Sequence, residues 1–562
     1  MIASTLKTST FTTVVAAPRT AQRRQAAPGF LLHFFPSLTD VAFLAPIILI
    51  LKLRGLSFLI GDGDTGWHLK AGEWMIQNGR VPVVDLFSFT KPGAPWFAWE
   101  WLWDVVFGWL NMTFGLNAVV LATLLLICLT SALVYRIALR ACSNPVVAMV
   151  VTLAGMIVSS VHWLARPHIV TLLFAATFFV LLERVRAGKT RHLIALPLLT
   201  ILWTNLHGGF FVGIVMTGAY AGGEFCAWLL EPDNAERRAA LHRGGQYLLT
   251  AAACAIASLL NPYGYKVHQH IFQYLTDKGL LLHISEFQSL DFHHPVAPFF
   301  ALLLLSAAGG VFWHAARKRY TWTILLAGWG WLALVAARNI PIFVICAAAP
   351  ISVALVEMLQ AAAGANIARW ALNTIHNFHG FAEEISVLEK PWRVYLTSAA
   401  VFILLATAAS ATHAPDRLRA EFNSKDFPVQ AVDTVLARTA PGRVFTNDLW
   451  GGYLIYRLYP TVRVFVDGRS DFYGTAFGEQ WTDILNARQG WEKQLNKFGV
   501  DTVMLPVRAP LVGALKESHT WKPIYDDGAT ILFRSPNQNP LQASAKAAAG
   551  VIAGLRKPQP FN

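Results

Sequence analysis

The sequence predicts a polytopic α-helical membrane protein with about eleven transmembrane helices and a C-terminal extracytoplasmic α/β domain. Three observations predict it. Hydrophobic residues make up 55% of the 562 positions and charged residues 14%, about half the charge of an ordinary soluble domain. Eleven apolar windows approach or exceed the length that crosses a bilayer. The charge is also uneven: residues 1–411 hold 28 Lys+Arg and 19 Asp+Glu, whereas the much shorter 412–562 holds 18 and 14. This pattern excludes a soluble enzyme. It also excludes a disordered scaffold, which needs low hydrophobicity.

Residues 1–37 are Ala/Thr/Ser-rich, carry Lys7, Arg19, Arg23 and Arg24, and lack the compact apolar stretch and cleavage site of a signal peptide. They read as a disordered cytoplasmic tail. The membrane part spans 38–411, with apolar windows at 41–60, 117–137, 145–164, 168–184, 193–206, 209–230, 246–261, 298–315, 322–337, 340–358 and 393–411. Alternate connections are basic. With the N-terminal tail, loops holding Arg136/Arg140, Arg184 to Arg191, Arg237 to Arg243, Arg317 to Arg319 and Arg369 to Arg393 collect 19 Lys+Arg. The positive-inside rule places these and the N-terminus in the cytoplasm. An odd number of spans then places 412–537 outside, followed by a loose tail, 538–562. The net charge of +13 is therefore a topology signal, and no nucleic-acid partner is expected. Lys52 and Arg54 fall inside the first window, where snorkelling or pairing near the outer edge accounts for them. The five cysteines all lie in spans or an inner loop, so no disulfide framework is expected.

With that topology, the polar residues of the membrane part gather on the outer side. The first outer loop, 61–116, contains Gly61-Asp62-Gly63-Asp64-Thr65-Gly66-Trp67-His68, Glu100 and seven tryptophans. Its segments 65–78 and 99–110 read as amphipathic helices lying in the interface. Asp62 and Asp64 stand two apart between glycines. There they could hold a divalent cation through oxygen, serve as a general base, or merely cap the following helix. Other outer loops bring Arg166-Pro167-His168, Asn205-Leu206-His207, Asn261-Pro262-Tyr263-Gly264, Glu286 to His294, and Arg338. Arg166 and Arg338 could each neutralise a phosphate bidentately, or pair with Glu100 or Glu286. His168, His207, His293 and His294 lack the tight spacing of a zinc site. Polar groups at membrane depth usually mark a cavity or a site.

In the C-terminal domain, 429–436, 450–458, 491–498 and 511–517 read as helices, and 443–446, 462–466, 500–505 and 529–533 as strands. The alternation predicts a small α/β layer. Asp467-Gly468-Arg469 lies at a strand end, the usual ligand position in such sheets. Its alternative reading is turn chemistry with Arg469 in an ion pair. The sequence contains no nucleophile elbow, P-loop or dinucleotide fingerprint.

These residues resemble the GT-C superfamily of integral-membrane glycosyltransferases. The string Gly-Asp-Gly-Asp-Thr-Gly-Trp-His at 61–68, Glu100-Trp101-Leu102, Arg166-Pro167-His168, Trp203 to Gly209 and Val466-Asp467-Gly468-Arg469 are similar to a little-characterised bacterial subgroup. The resemblance covers most of 40–535. It implies a bacterial inner-membrane hexosyltransferase that works with inversion at the outer face. The implied donor is a polyprenyl-phosphate-linked sugar; the acceptor is a glycan, lipid or protein. The implied catalytic acids are Asp62 and Asp64, with the choice between them open, and Glu100, with Glu286 and Asp291 the alternatives for that second acidic position; Asp62 and Asp64 are the ligands if a divalent cation (Mg or Mn) is used. The substrate-binding candidates are His68, Arg166, His168, Asn205, His207, Tyr263, Glu286, Arg338, Asp467 and Arg469. A lipid-linked polysaccharide ligase or polymerase is the nearest rival, and a transporter or scaffold the non-enzymatic one.

Overall fold

A computed structural model describes residues 36–365, 367–389, 395–436 and 442–535. The expected tail 538–562, nearly all of the tail 1–37, and Lys390 and Arg393 lie outside the described residues. The first helix, α1 (Leu38–Leu53), starts at a capping box. Ser37 Oγ accepts from the Asp40 N–H, and Asp40 accepts from the Ser37 N–H. Lys52 falls in its last turn and Arg54 just beyond it, where Arg54 pairs with Asp426 at 2.6 Å.

The first outer loop forms a helical hairpin, α2 (Asp64–Asn78) and α3 (Trp101–Phe114). α2 ends at Gly79, whose left-handed φ of 63° stops it before Pro82. The two helices cross through facing glycines: a Cβ on Gly72 would come within 1.8 Å of the Asp104 carbonyl oxygen. Trp67, Trp96 and Trp103 are buried. They pack inside the protein.

The membrane part continues with α4 (Leu116–Cys142), α5 (Pro145–Ser159), α6 (His168–Arg186), α7 (Ala195–Leu206), α8 (Phe211–Leu230) and α9 (Asn234–Ala257). After α10 (Lys266–Thr276) and α11 (Lys278–His283) come α12 (Ala297–Ala316), α13 (Tyr320–Val335), α14 (Ile340–Ala363), α15 (Arg369–Leu388) and α16 (Leu396–Ala409). Within the described residues, each apolar window overlaps a helix. Among the described residues, six helices are long and apolar enough to cross a membrane: Leu116–Cys142, Pro145–His162, His168–Arg186, Gly208–Leu230, Ala297–Ala316 and Ala337–Ala363. Tyr320–Val335 and Leu396–Ala409 are apolar but shorter. α14 is the central one: nearly all of 340–356 is buried, against α4, α5, α12 and α13.

The C-terminal part is a five-stranded sheet of order β2-β1-β3-β5-β4. Its strands are β1 (Arg443–Phe445), β2 (Arg463–Val464), β3 (Thr502–Pro506), β4 (Lys522–Asp526) and β5 (Thr530–Arg534). β1 pairs in parallel with β2 and β3; β5 is antiparallel to β3 and β4. β4 was not expected from the sequence. It is an edge strand with exposed residues and a bulge after Pro523, so it lacks the alternation that marks a half-buried strand. Helices α17 (Asp448–Leu458), α18 (Thr475–Leu485), α19 (Trp491–Lys497) and α20 (Pro510–Glu517) flank the sheet, and α18 too is additional to the expectation.

The first outer loop and the sheet share one hydrophobic cluster, which joins Trp67, Met75, Phe87 and Trp96 to Phe427, Trp450, Tyr453 and Val464. Phe89 N–H donates to the Val464 carbonyl and Val464 N–H to the Phe87 carbonyl, at 3.1 and 3.0 Å. The loop thereby covers the open edge of β2. Backbones meet at glycines: a Cβ on Gly63 would lie 1.9 Å from the Leu449 oxygen, and one on Gly452 2.3 Å from the Gly63 oxygen.

Candidate active site

Asp62 and Asp64 lie where the chain turns from α1 into α2. Gly63 between them is helical (φ −65°, ψ −22°). The two carboxylates therefore converge through a turn and not along an extended strand. Neither side chain caps α2 in the usual way, since the N-cap is Gly63 and has no side-chain bond. Both reach Arg166 instead. Nη1 donates to Asp62 Oδ2 at 2.7 Å, and Nη2 meets Asp64 Oδ2 at 2.9 Å. Asp62 Oδ1 accepts the Asp64 N–H at 3.0 Å, and Asp64 Oδ1 accepts the Trp67 indole N–H at 3.1 Å. Behind Asp64 stands Gly468, where a Cβ would come within 1.8 Å of Oδ1.

The segment bearing Arg166 is stapled to the same loop. Ala165 N–H donates to the Leu59 carbonyl at 2.6 Å, and Thr65 Oγ1 donates to the Ala165 carbonyl at 3.1 Å. Near Arg166 a run of polar groups crosses this end of the helical bundle. Arg338 lies 3.6 Å from Glu286, and Glu286 lies 3.7 Å from His162. The His162 and His168 rings are 4.1 Å apart, and His168 and His207 6.4 Å. His207 Nδ1 accepts from the Gly209 N–H at 3.0 Å and bonds Thr171 Oγ1 at 2.8 Å. In the neutral ring this assigns the proton to Nε2. His168 Nε2 donates to the His162 carbonyl at 2.9 Å.

Burial, reinforced by the charge on Asp62, pushes the Asp64 carboxyl up to about 8, with Arg166 pulling the other way. Burial and the Asp471 carboxylate push Glu100 up to about 7. Burial would also raise Glu286, but Arg338 and Arg166 hold it below the usual carboxylate range. The cluster thus contains acids that keep protons near neutrality beside one that stays ionised.

Other candidates are placed differently. His68 faces α3, not the cavity, with Nδ1 2.7 Å from the buried Asp104. Burial lowers the imidazole and raises the carboxyl, which keeps the pair neutral. Asn205 is consumed structurally: its amide bonds the Ile201 and Leu260 carbonyls, and its oxygen accepts from Trp101. Tyr263 packs against Phe97 and Trp99. Asp467 and Arg469 hold each other through two bonds of 2.7 Å; Arg469 also meets Asp85 at 2.9 Å and is 2% exposed. They form a buried clasp behind Gly468. Glu100 immediately precedes α3, within the fields of Arg166 and Arg338. His293 and His294 are exposed, outside the cluster.

The sequence did not single out His162, which ends a long apolar run. Nor did it single out His270, stacked on Trp99 at 4.5 Å and 3.8 Å from Asp471. A His four residues before Arg166 was the available signal for the first; the second depends on a contact between distant segments. A small cavity of about 30 Å³ lies between α4, α5, α6 and α14. It is lined by Val134, Thr152, Met156, Trp163, Leu172 and Val344.

The resemblance carries a divalent cation at Asp62 and Asp64, and the donor set does not fit one. All four carboxylate oxygens already face N–H donors. No three His, Cys, Asp or Glu side chains among the described residues gather closely enough to hold an ion.

No family model matches the chain, and no curated protein matches it. Among solved structures it is similar to the archaeal oligosaccharyltransferase AglB from Archaeoglobus fulgidus in complex with an inhibitory peptide and a dolichol-phosphate. The identity is 13% and the TM-score 0.49, over 90% of this chain and 74% of that chain. It is also similar to the oligosaccharyltransferase of the same organism in its apo form, at 11% identity and TM-score 0.48, over 89% of this chain and 74% of that one. The complex of that enzyme with Zn and sulfate is similar at 12% and 0.46, over 89% and 72%.

Proposed function

We propose that this chain is a GT-C-type membrane glycosyltransferase of the bacterial inner membrane. It transfers a sugar, with inversion, from a polyprenyl-phosphate-linked donor to an acceptor hydroxyl or amide at the outer face. One observation carries the reading: an acidic pair and a row of cationic and imidazole groups meet at one end of the bundle of apolar helices. Arg338 and the Nε2–H of His207 suit the phosphate, whose charge grows as it leaves.

In the transfer, the acceptor gives its proton to the Asp62/Asp64 pair. Asp62 is the more exposed of the two, at 21% against 10%, and faces the acceptor. The acceptor atom bonds the anomeric carbon as the bond from that carbon to the phosphate oxygen breaks. The electron pair leaves on polyprenyl phosphate. Glu100, protonated near neutrality, is placed to donate a hydrogen bond to the sugar.

The test is release of polyprenyl phosphate from a polyprenyl-phosphate-linked hexose by the purified protein in lipid. Arg338→Met is expected to raise KM for the donor more than it lowers kcat. An unchanged KM with this variant, or no release by the wild type with any such donor, contradicts the proposal.

A further inference from the structure

We propose that Arg166 is itself the cation of this site: its guanidinium fills the place between Asp62 and Asp64 where a divalent ion would sit. The inference deepens the reading above. Its readout is ion binding, however, so it can fail while the transferase reading stands, and the reverse.

The planar fork of a guanidinium offers two parallel N–H donors, and here each is aimed at a different carboxylate, at 2.7 and 2.9 Å. The two outer oxygens are engaged as well, one by the Asp64 backbone N–H and one by the Trp67 indole N–H. Mg²⁺ and Mn²⁺ need oxygen ligands arranged around the ion at about 2.0–2.1 Å. An ion entering here must displace Arg166, and Gly468 closes the far side of Asp64.

Arg166 has no better place to go. Its side chain is 22% exposed, and its Nε is buried without an acceptor. The remaining nearby acid, Glu286, is shared with Arg338 and His162. Turning Arg166 out leaves a buried cation unpaired, which is strongly unfavourable. Its backbone is fixed on both sides of this contact, through Ala165 to Leu59 and Thr65. The guanidinium is therefore preorganised against the pair in the absence of any ligand. A fixed cation of this kind holds both carboxylates in position without a bound ion; Arg166 is a positioning residue.

The experiment titrates Mn²⁺ into the full-length protein in detergent and follows free Mn²⁺ by electron paramagnetic resonance. Wild type is expected to take up no Mn²⁺ beyond the level of Asp62→Asn/Asp64→Asn. Arg166→Met, which removes the guanidinium and leaves the acids, is expected to gain one site roughly tenfold or more tighter than any in wild type. That site should vanish when Asp62→Asn is added. Wild-type uptake that depends on Asp62 and Asp64 overturns the proposal, and so does an Arg166→Met protein that folds and gains no site. If Arg166→Met does not fold, the wild-type and double-mutant titrations decide alone: equal uptake supports the proposal and Asp-dependent uptake overturns it.

Discussion

The two ends of the helical bundle treat carboxylates in opposite ways. At the end that carries Arg186 and Arg319, one carboxylate collects several donors. Glu357 accepts both Arg319 Nη atoms, at 3.0 and 2.7 Å, and the Trp313 indole, with Arg317 3.4 Å away. Glu183 accepts from Arg186, Tyr220 and Trp322. At the other end, and in the sheet domain that adjoins it, two carboxylates share one guanidinium: Asp62 and Asp64 share Arg166, and Asp85 and Asp467 share Arg469. An acid that collects donors from several helices anchors them to one another. Asp64, sharing its one guanidinium with Asp62, is instead pushed up by burial and by the charge on Asp62. The difference separates an end built for attachment from one able to do acid–base chemistry.

The sharpest way to break this comparison is to neutralise the outer pair. Asp62→Asn/Asp64→Asn should lower sugar transfer by about 10²–10⁴-fold, the range for loss of a positioned base, with membrane insertion intact. Next in size is Arg469→Met. It strands Asp467 and Asp85, both fully buried, and should cost about 3–5 kcal/mol, read as a lower melting temperature. Gly63→Ala forces a methyl onto the Leu449 carbonyl. It should destabilise the contact between loop and sheet by about 1–3 kcal/mol, detected as faster proteolysis between 412 and 535.

A pH series sharpens the same point. Asp64 and Glu100 bind protons more tightly in the folded state than in the unfolded one. Their stabilising contribution is complete below the unfolded carboxyl range and is lost as pH rises through about 7 to 8. Melting temperature should therefore fall from pH 5 to pH 8.5, and Asp64→Asn should flatten that slope. The smallest effect belongs to the end that carries Arg319: Glu357→Gln should change stability by about 1 kcal/mol or less and leave transfer unchanged.

Part of this contrast was legible in the sequence, because basic loops and apolar length sort the polar groups between the two ends of the apolar windows. The grouping of Asp62, Asp64, Arg166, His168, His207, Glu286 and Arg338 on one face required only that topology. The pairing was not legible. Arg166 was open to pairing with Glu100 or Glu286, and it chose Asp62 and Asp64 because a turn at Gly63, not an extended strand, aims both acids at it. The glycines at 63, 66 and 452 were visible as glycines, but their mutual contact joins positions nearly 400 residues apart, beyond any local periodicity. His68 and Asn205 shared strings with the candidate residues and turned out to face neighbouring helices. Helical phase at that resolution depends on the packing partner.

The most direct measurement compares polyprenyl phosphate release by Asp62→Asn/Asp64→Asn and Glu357→Gln in the same proteoliposomes, beside wild type. The account predicts that the outer variant loses release while the inner variant matches wild type. Equal release by the outer variant and wild type would contradict it.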